Sequence, residues 1–163
     1  MSQPVPPPGN PFAQGAEPFP QPPVAPAPPS RSNVGLGLVV AVVAALVAGG
    51  VYGGIAGAIE REIGWAAVGV GFLVGFAAGK AGGRNPALPV VSAVLSLGAV
   101  YFGQLLAIAI IGGKELNVSV STLFFEHSDV LQAAWKEELD PLTFLFFALA
   151  AFAAFSGSNK AAE

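Results

Sequence analysis

Ionisable residues are so sparse in this chain that they cut it into four long apolar runs, and that spacing constrains the fold more than any other feature. The first run lies between Arg31 and Glu60, with its core at Val34–Ile59. The second lies between Glu62 and Lys80, at Ile63–Gly79. The third lies between Arg84 and Lys114, with its core at Leu88–Ile111. The fourth follows Asp140, from Pro141 to about Phe155, and Ser156, Gly157 and Ser158 extend it. A helix needs about 20 mainly apolar residues to cross a bilayer. The runs are apolar on every face, and four such helices could not all be covered by the rest of a chain of 163 residues. Charged residues make up only 10% of the chain, against about 25% in a typical soluble domain. Backbone groups in lipid must bond within their own segment, so these runs are predicted to be helices.

The expected fold class is therefore an all-α membrane protein. It has about four transmembrane helices, one amphipathic loop helix and a disordered Pro-rich N-terminal tail. Residues 1–32 form the tail. Residues 33–158 form the transmembrane domain, with spans at about 34–59, 63–79, 88–111 and 141–157. Residues 159–163 form a short C-terminal tail. Pro141 suits the first turn of a helix, where its missing N–H costs nothing, and Asp140 is placed to cap that turn.

Twelve of the fifteen prolines fall between Pro4 and Pro29. Proline fixes φ and removes donors, so helix and sheet are both blocked there. The segment reads as a solvated spacer biased to polyproline II, roughly 100 Å long if extended at about 3.1 Å per residue. Pro4-Val5-Pro6-Pro7 or Asn10-Pro11-Phe12 also offers a ligand for an aromatic groove on a cytoplasmic protein. The N-terminus has no charged stretch leading into an apolar run, so no cleaved signal peptide is expected.

Orientation follows the Lys/Arg balance of the short loops. An N-terminus-inside arrangement puts Arg31, Lys80, Arg84 and Lys160 in the cytoplasm, and Arg61, Lys114 and Lys136 outside. Glu60, Glu62, Glu115, Glu126, Asp129, Glu137, Glu138 and Asp140 then all lie outside.

Residues 112–140 form the only sizeable loop. Gly112-Gly113 is expected to end the third helix. From Thr122 to Leu139 the period turns helical, with Ser121 or Thr122 as cap. Leu123, Phe124, His127, Val130, Leu131, Ala134 and Trp135 form its apolar stripe. Such a helix beside a span lies in the interface, with its Trp at headgroup depth; a lid over an interhelical pocket is the alternative.

Small residues recur every fourth position. Gly49, Gly53 and Gly57 form one row, with Gly50 and Gly54 beside it. Ala67, Gly71, Gly75 and Gly79 form another. These rows let helix backbones approach closely in lipid. The expectation is packing of the first helix against the second, with self-association as the alternative. Glu60, Arg61 and Glu62 make a polar turn that stops two spans, and Trp65 anchors the interface beside it. Gln104 is the one amide inside a span, with Tyr52, Tyr101, Ser92 and Ser96 as neutral polar companions. Interhelical hydrogen bonding is its expected role. Val51-Tyr52-Gly53-Gly54 is echoed by Val100-Tyr101-Phe102-Gly103, a pattern that a parallel repeat of two hairpins would produce.

Chemistry is thinly represented. The chain has no cysteine and one histidine, His127. The string from Glu126 to Asp129 is not a triad, because neighbouring side chains on one helix diverge rather than converge. No catalytic residue, cofactor or metal is expected. No basic cluster points to nucleic acid. The partners expected are the lipid bilayer, further copies or other membrane proteins, and a cytoplasmic protein met by the tail.

The stretch Glu62-Ile63-Gly64-Trp65, followed by the small-residue helix Ala66–Gly75 and the basic turn from Lys80 to Arg84, resembles an uncharacterised family of small bacterial multi-pass membrane proteins. Asp140-Pro141-Leu142-Thr143-Phe144 and the residues to Ala150 resemble that group's closing helix. The Pro-rich tail is similar to those on membrane proteins of high-GC Gram-positive bacteria. The resemblance implies a bacterial inner membrane location and carries no activity. The function expected is a non-enzymatic scaffold or accessory subunit of a membrane assembly. The runner-up is a small transport or channel subunit that oligomerises through its glycine faces.

Overall fold

The computed structural model describes residues 32–163; the Pro-rich tail lies outside the described residues. The described residues fold as six helices: α1 (Val34–Ile59), α2 (Gly64–Gly82), α3 (Ala87–Leu116), α4 (Val120–Phe125), α5 (Ser128–Glu137) and α6 (Pro141–Ala161). No strand occurs among the described residues. Helices α1, α2, α3 and α6 are long and apolar enough to cross a membrane, an architecture compatible with an integral membrane protein. Their outward faces carry Leu46, Val47, Val94, Leu145 and Phe152, all exposed, as a hydrocarbon environment demands.

Helices α2 and α3 hold the middle of the bundle and touch each other. Helix α1 packs on α2 and α3 from one side, and α6 packs on the same two from the other. The most intimate pairs are α1 with α3 and α2 with α6. The glycine rows cause both. A Cβ added at Gly49 would stand 2.6 Å from the Ala99 carbonyl oxygen, one at Gly53 would strike the Gly103 backbone, and one at Gly57 would meet Ile110. Likewise Gly71, Gly75 and Gly79 lie against the backbones of Ala150, Ala154 and Ser158. The contact numbers rise together along both members, so each pair is parallel. The first helix does pack on the second as expected, but its glycine row faces α3 instead. Each row faces a helix from the other half of the chain. Gly50, Gly54, Gly69 and Gly98 have no atom within 4 Å of a Cβ placed there.

Helix boundaries depart from expectation where charge or glycine was read as a stop. Helix α3 runs through Gly112-Gly113 to Leu116 and ends at Asn117 in the left-handed region (φ 56°), whose N–H bonds the Gly113 carbonyl. A Cβ on Gly113 would stand 2.8 Å from the Val118 oxygen, so that glycine makes room for the returning chain rather than ending the helix. Helix α2 continues past Lys80 to Gly82, and α6 continues through residues 159–161, read from sequence as a tail. A basic residue near a helix C-terminus is favoured by the aligned peptide dipoles, which suits Lys80 and Lys160. Asp140 caps α6 as expected, accepting from the Thr143 N–H at 2.7 Å and its hydroxyl at 2.8 Å.

The single helix expected at 122–139 is two. Helix α4 is capped by Ser119, which accepts from the Thr122 N–H, rather than by Ser121 or Thr122. The chain breaks at Glu126-His127. On either side of the break, Leu123 and Leu131 join one buried cluster with Ala109 of α3, with Leu105, Ile108 and Phe124 around them. His127 and Val130, read as part of the apolar stripe, are exposed as a result.

Candidate functional site

Gln104, Tyr52, Tyr101 and Trp135 converge near the end that carries α4 and α5. Gln104 sits well inside α3 and is 8% exposed. Its Nε2 donates to Glu62 Oε1 in the α1–α2 turn, and its Oε1 accepts from Trp135 Nε1 of α5 at 2.8 Å. One amide therefore ties a turn, a span and the loop helix together. An amide in a low-dielectric setting needs such partners, because an unpaired buried group costs about 1–3 kcal/mol.

Aromatic rings frame this link. Tyr101 meets Trp135 edge to face, with centroids 4.8 Å apart at 88°. Phe147 of α6 approaches the same indole at 6.5 Å. Trp135, read as an interfacial anchor, is thus turned into the bundle, and its N–H is used there. Trp65 remains exposed at the turn, against Phe146 at 5.5 Å. Tyr52 is buried, its ring against Gly103.

Beside Gln104 a cleft of about 300 Å³ opens between α1, α3 and the turn. Tyr52, Ala56, Ala107, Ile108 and Ile111 line it, with Glu60, Arg61, Glu62 and Glu138 around it. Lys114 Nζ lies 3.3 Å from Glu60 Oε1 and 3.5 Å from the Gly57 carbonyl oxygen, joining the end of α3 to the end of α1. Burial pushes the Glu138 carboxyl above its ordinary range, and the Glu62 charge adds to that rise. The hydrogen bonds from Thr143 hold Asp140 below its ordinary range.

Toward the other end the helices pack closely around small side chains. Val74, Val100 and Ala150 are fully buried between the helices. Ser92 and Ser96 are also fully buried, and Ser96 donates to the Ala93 carbonyl. Among the described residues no group of three or more His, Asp or Glu side chains converges as a metal site requires.

Sequence reasoning grouped Gln104 with Tyr52 and Tyr101 and placed Glu62 and Trp135 in other roles, and the structure brings these five together. It missed Glu138 and the Lys114–Glu60 link. Both depend on where the loop returns to the bundle, which no local period encodes.

Four helices long and apolar enough to cross a membrane, with one amide joining a span, a turn and a loop helix, define a multi-helix architecture compatible with a membrane protein. No protein-family model, curated protein or solved structure matches this chain.

Proposed function

We propose that this chain is a non-enzymatic scaffold or accessory subunit of an assembly in the bacterial inner membrane. Its N-terminus and Pro-rich segment face the cytoplasm, and α4 and α5 lie on the outer side. The observation that carries this reading is the state of Gln104. Gln104 uses both ends of its amide within the chain, and fully buried Val74, Val100 and Ala150 fill the path below it. Polar residues arranged in this way lock helices together rather than line a route for solute.

The transport alternative asked the glycine rows to build an oligomer around a polar lumen. Gly49, Gly53, Gly57, Gly71, Gly75 and Gly79 instead lie against partners within the chain.

Proximity labelling from an enzyme fused to the N-terminus, in the native cell, tests the reading. A defined set of cytoplasmic and membrane proteins should be marked, and removal of residues 1–31 should erase the cytoplasmic part of that set. Solute flux through proteoliposomes of the purified protein, or the absence of any enriched neighbour, would overturn it.

A further inference from the structure

Ser158, near the end of α6, is 1% exposed, and its hydroxyl has no hydrogen-bond partner among the described residues. A buried polar group left in that state costs about 1–3 kcal/mol, and native folds keep few of them. Ser158 lines a cleft of about 340 Å³ between the end of α6 and the α2–α3 turn. The two sides of that cleft differ in kind. The turn supplies donors. Arg84 carries a guanidinium with no partner among the described residues. Asn85 accepts from the Ala87 N–H through its Oδ1 at 2.9 Å, which leaves its Nδ2 to donate. The end of α6 supplies acceptors. Asn159 donates its Nδ2 to the Phe155 carbonyl at 3.1 Å, which leaves its Oδ1 to accept. Glu163 adds a carboxylate beside it. Neither amide can be turned over, because a backbone N–H needs an oxygen and a carbonyl needs a donor. Arg84 and Glu163 line the same cleft without forming an ion pair with each other.

We propose that this cleft binds a phosphate ester carrying an ammonium group on a short tether, its phosphate toward Arg84, Asn85 and the Ser158 hydroxyl and its ammonium toward Asn159 and Glu163. Donors on one side and acceptors on the other suit a ligand that bears both charges, whereas a simple anion would meet Glu163 and a simple cation would meet Arg84. A planar guanidinium recognises phosphate through paired N–H donors. An amide and a hydroxyl beside it add donors to the further oxygens that a phosphate has and a carboxylate lacks. The volume lies at the lower end of the range for small-molecule sites, about 300–1,000 Å³, so the recognised group is small. The cleft also sits where α2 ends, α3 begins and α6 ends, three helices apolar and long enough to span a membrane. That places it at the depth of lipid headgroups. The same chemistry occurs on a membrane lipid and on a soluble phosphate ester. The inference needs neither the scaffold role nor the orientation proposed above.

Titration calorimetry of the full chain in a non-ionic maltoside micelle tests it, with phosphoethanolamine and dihexanoyl phosphatidylethanolamine as probes. Glycerol phosphate and ethanolamine, each bearing one of the two charges, are the controls. At least one probe should bind saturably at one site, with both controls at least about tenfold weaker. The tighter probe assigns the source, a membrane headgroup or a soluble ester. R84Q and E163Q should each weaken the probe by about tenfold, the range expected for loss of one charged hydrogen-bond partner, and S158A by about threefold. S158A removes a hydroxyl that the fold leaves without a partner, so the melting temperature without ligand should not fall. K80Q/K160Q removes the two lysines at this end that lie outside the lining and should leave affinity within about threefold of the parent, since exposed charges contribute little. Failure of both probes to bind would overturn the proposal. So would a control as tight as the probes, a loss in K80Q/K160Q equal to that in R84Q, or unchanged affinity in S158A. A lowered melting temperature in S158A would also overturn it, because the hydroxyl would then serve the fold and not a ligand.

Discussion

Gln104 differs from the other polar residues of the spans because its two partners come from two other segments, the α1–α2 turn and α5. Replacing it by Leu leaves the Trp135 N–H without an acceptor and removes the Glu62 donor. Q104L should destabilise the fold by about 1–3 kcal/mol, the cost of orphaning buried polar groups. W135F removes one donor and keeps most of the ring, and should cost about 1 kcal/mol. Reversible unfolding in mixed micelles reads both, and equal stability of Q104L and the parent would show that the link carries no weight. In both variants amide exchange should quicken in residues 128–137, because Trp135 fastens α5 to the spans. Two carboxyls nearby give opposite pH responses. The Asp140 value is lowered in the folded chain, so its contribution is present above the ordinary carboxylate range and fades as pH falls through the lowered value. The Glu138 value is raised, so the folded chain favours its protonated form, and that preference is lost as pH rises through the raised value. Measured against the intrinsic exchange rate at each pH, acidification should therefore lower protection in the first turn of α6 and raise it at the end of α5. Loss of the first response in D140A, and of the second in E138Q, assigns each to its residue.

At the scale of helices, the parallel pairs are set by close approach rather than by large side chains. Nothing but a hydrogen atom fits where Gly75 faces the Ala154 backbone. G75L should force α2 from α6 and cost at least the roughly 1–3 kcal/mol typical of overpacking. G50A, on the same kind of helix surface with no neighbour within 4 Å, should leave the melting temperature in detergent nearly unchanged. A similar loss in both would mean that helix propensity, not packing, governs these positions. The contrast also marks what sequence made legible. The spacing of charges located all four spans, because a charge inside hydrocarbon is costly wherever the helix lies. The glycine period announced close packing, since Gly49, Gly53 and Gly57 must share a face at that spacing. It could not announce the partner, because a smooth face suits any helix that presents its own. Ala99 and Gly103 on α3, and Ala150 and Ala154 on α6, are unremarkable small residues until the fold sets them opposite a glycine. The break at Glu126-His127 was hidden for a related reason. Leu123 and Leu131 fit a continuous period, and only the fold shows that they join one buried cluster with Ala109 from two separate helices.

For the whole molecule, the same pairing makes the two halves of the chain depend on one another. Helices α1 and α2 form one hairpin, and α3 and α6, with the loop helices between them, form another. Each parallel pair takes one member from each hairpin: α1 rests on α3, and α2 on α6. This is the arrangement that the echo of Val51–Gly54 in Val100–Gly103 suggests, two hairpins set side by side in the same sense. A hairpin on its own would present its glycine row to lipid, which cannot follow so smooth a surface as closely as a helix backbone does. Helices in a bilayer form before they associate, and packing of small-residue faces then drives assembly. Cutting the chain in the α2–α3 turn, between Gly83 and Arg84, leaves every span whole and both parallel interfaces intact. Residues 1–83 and 84–163, expressed together as separate chains, should therefore assemble, and a tag on one should retrieve the other in about equal amount from detergent. G75L in the first fragment should abolish retrieval, whereas G50A should leave it unaltered. Recovery of the halves as independent species, with the parent glycines present, would mean that continuity of the chain and not its glycine rows holds α1 to α3 and α2 to α6.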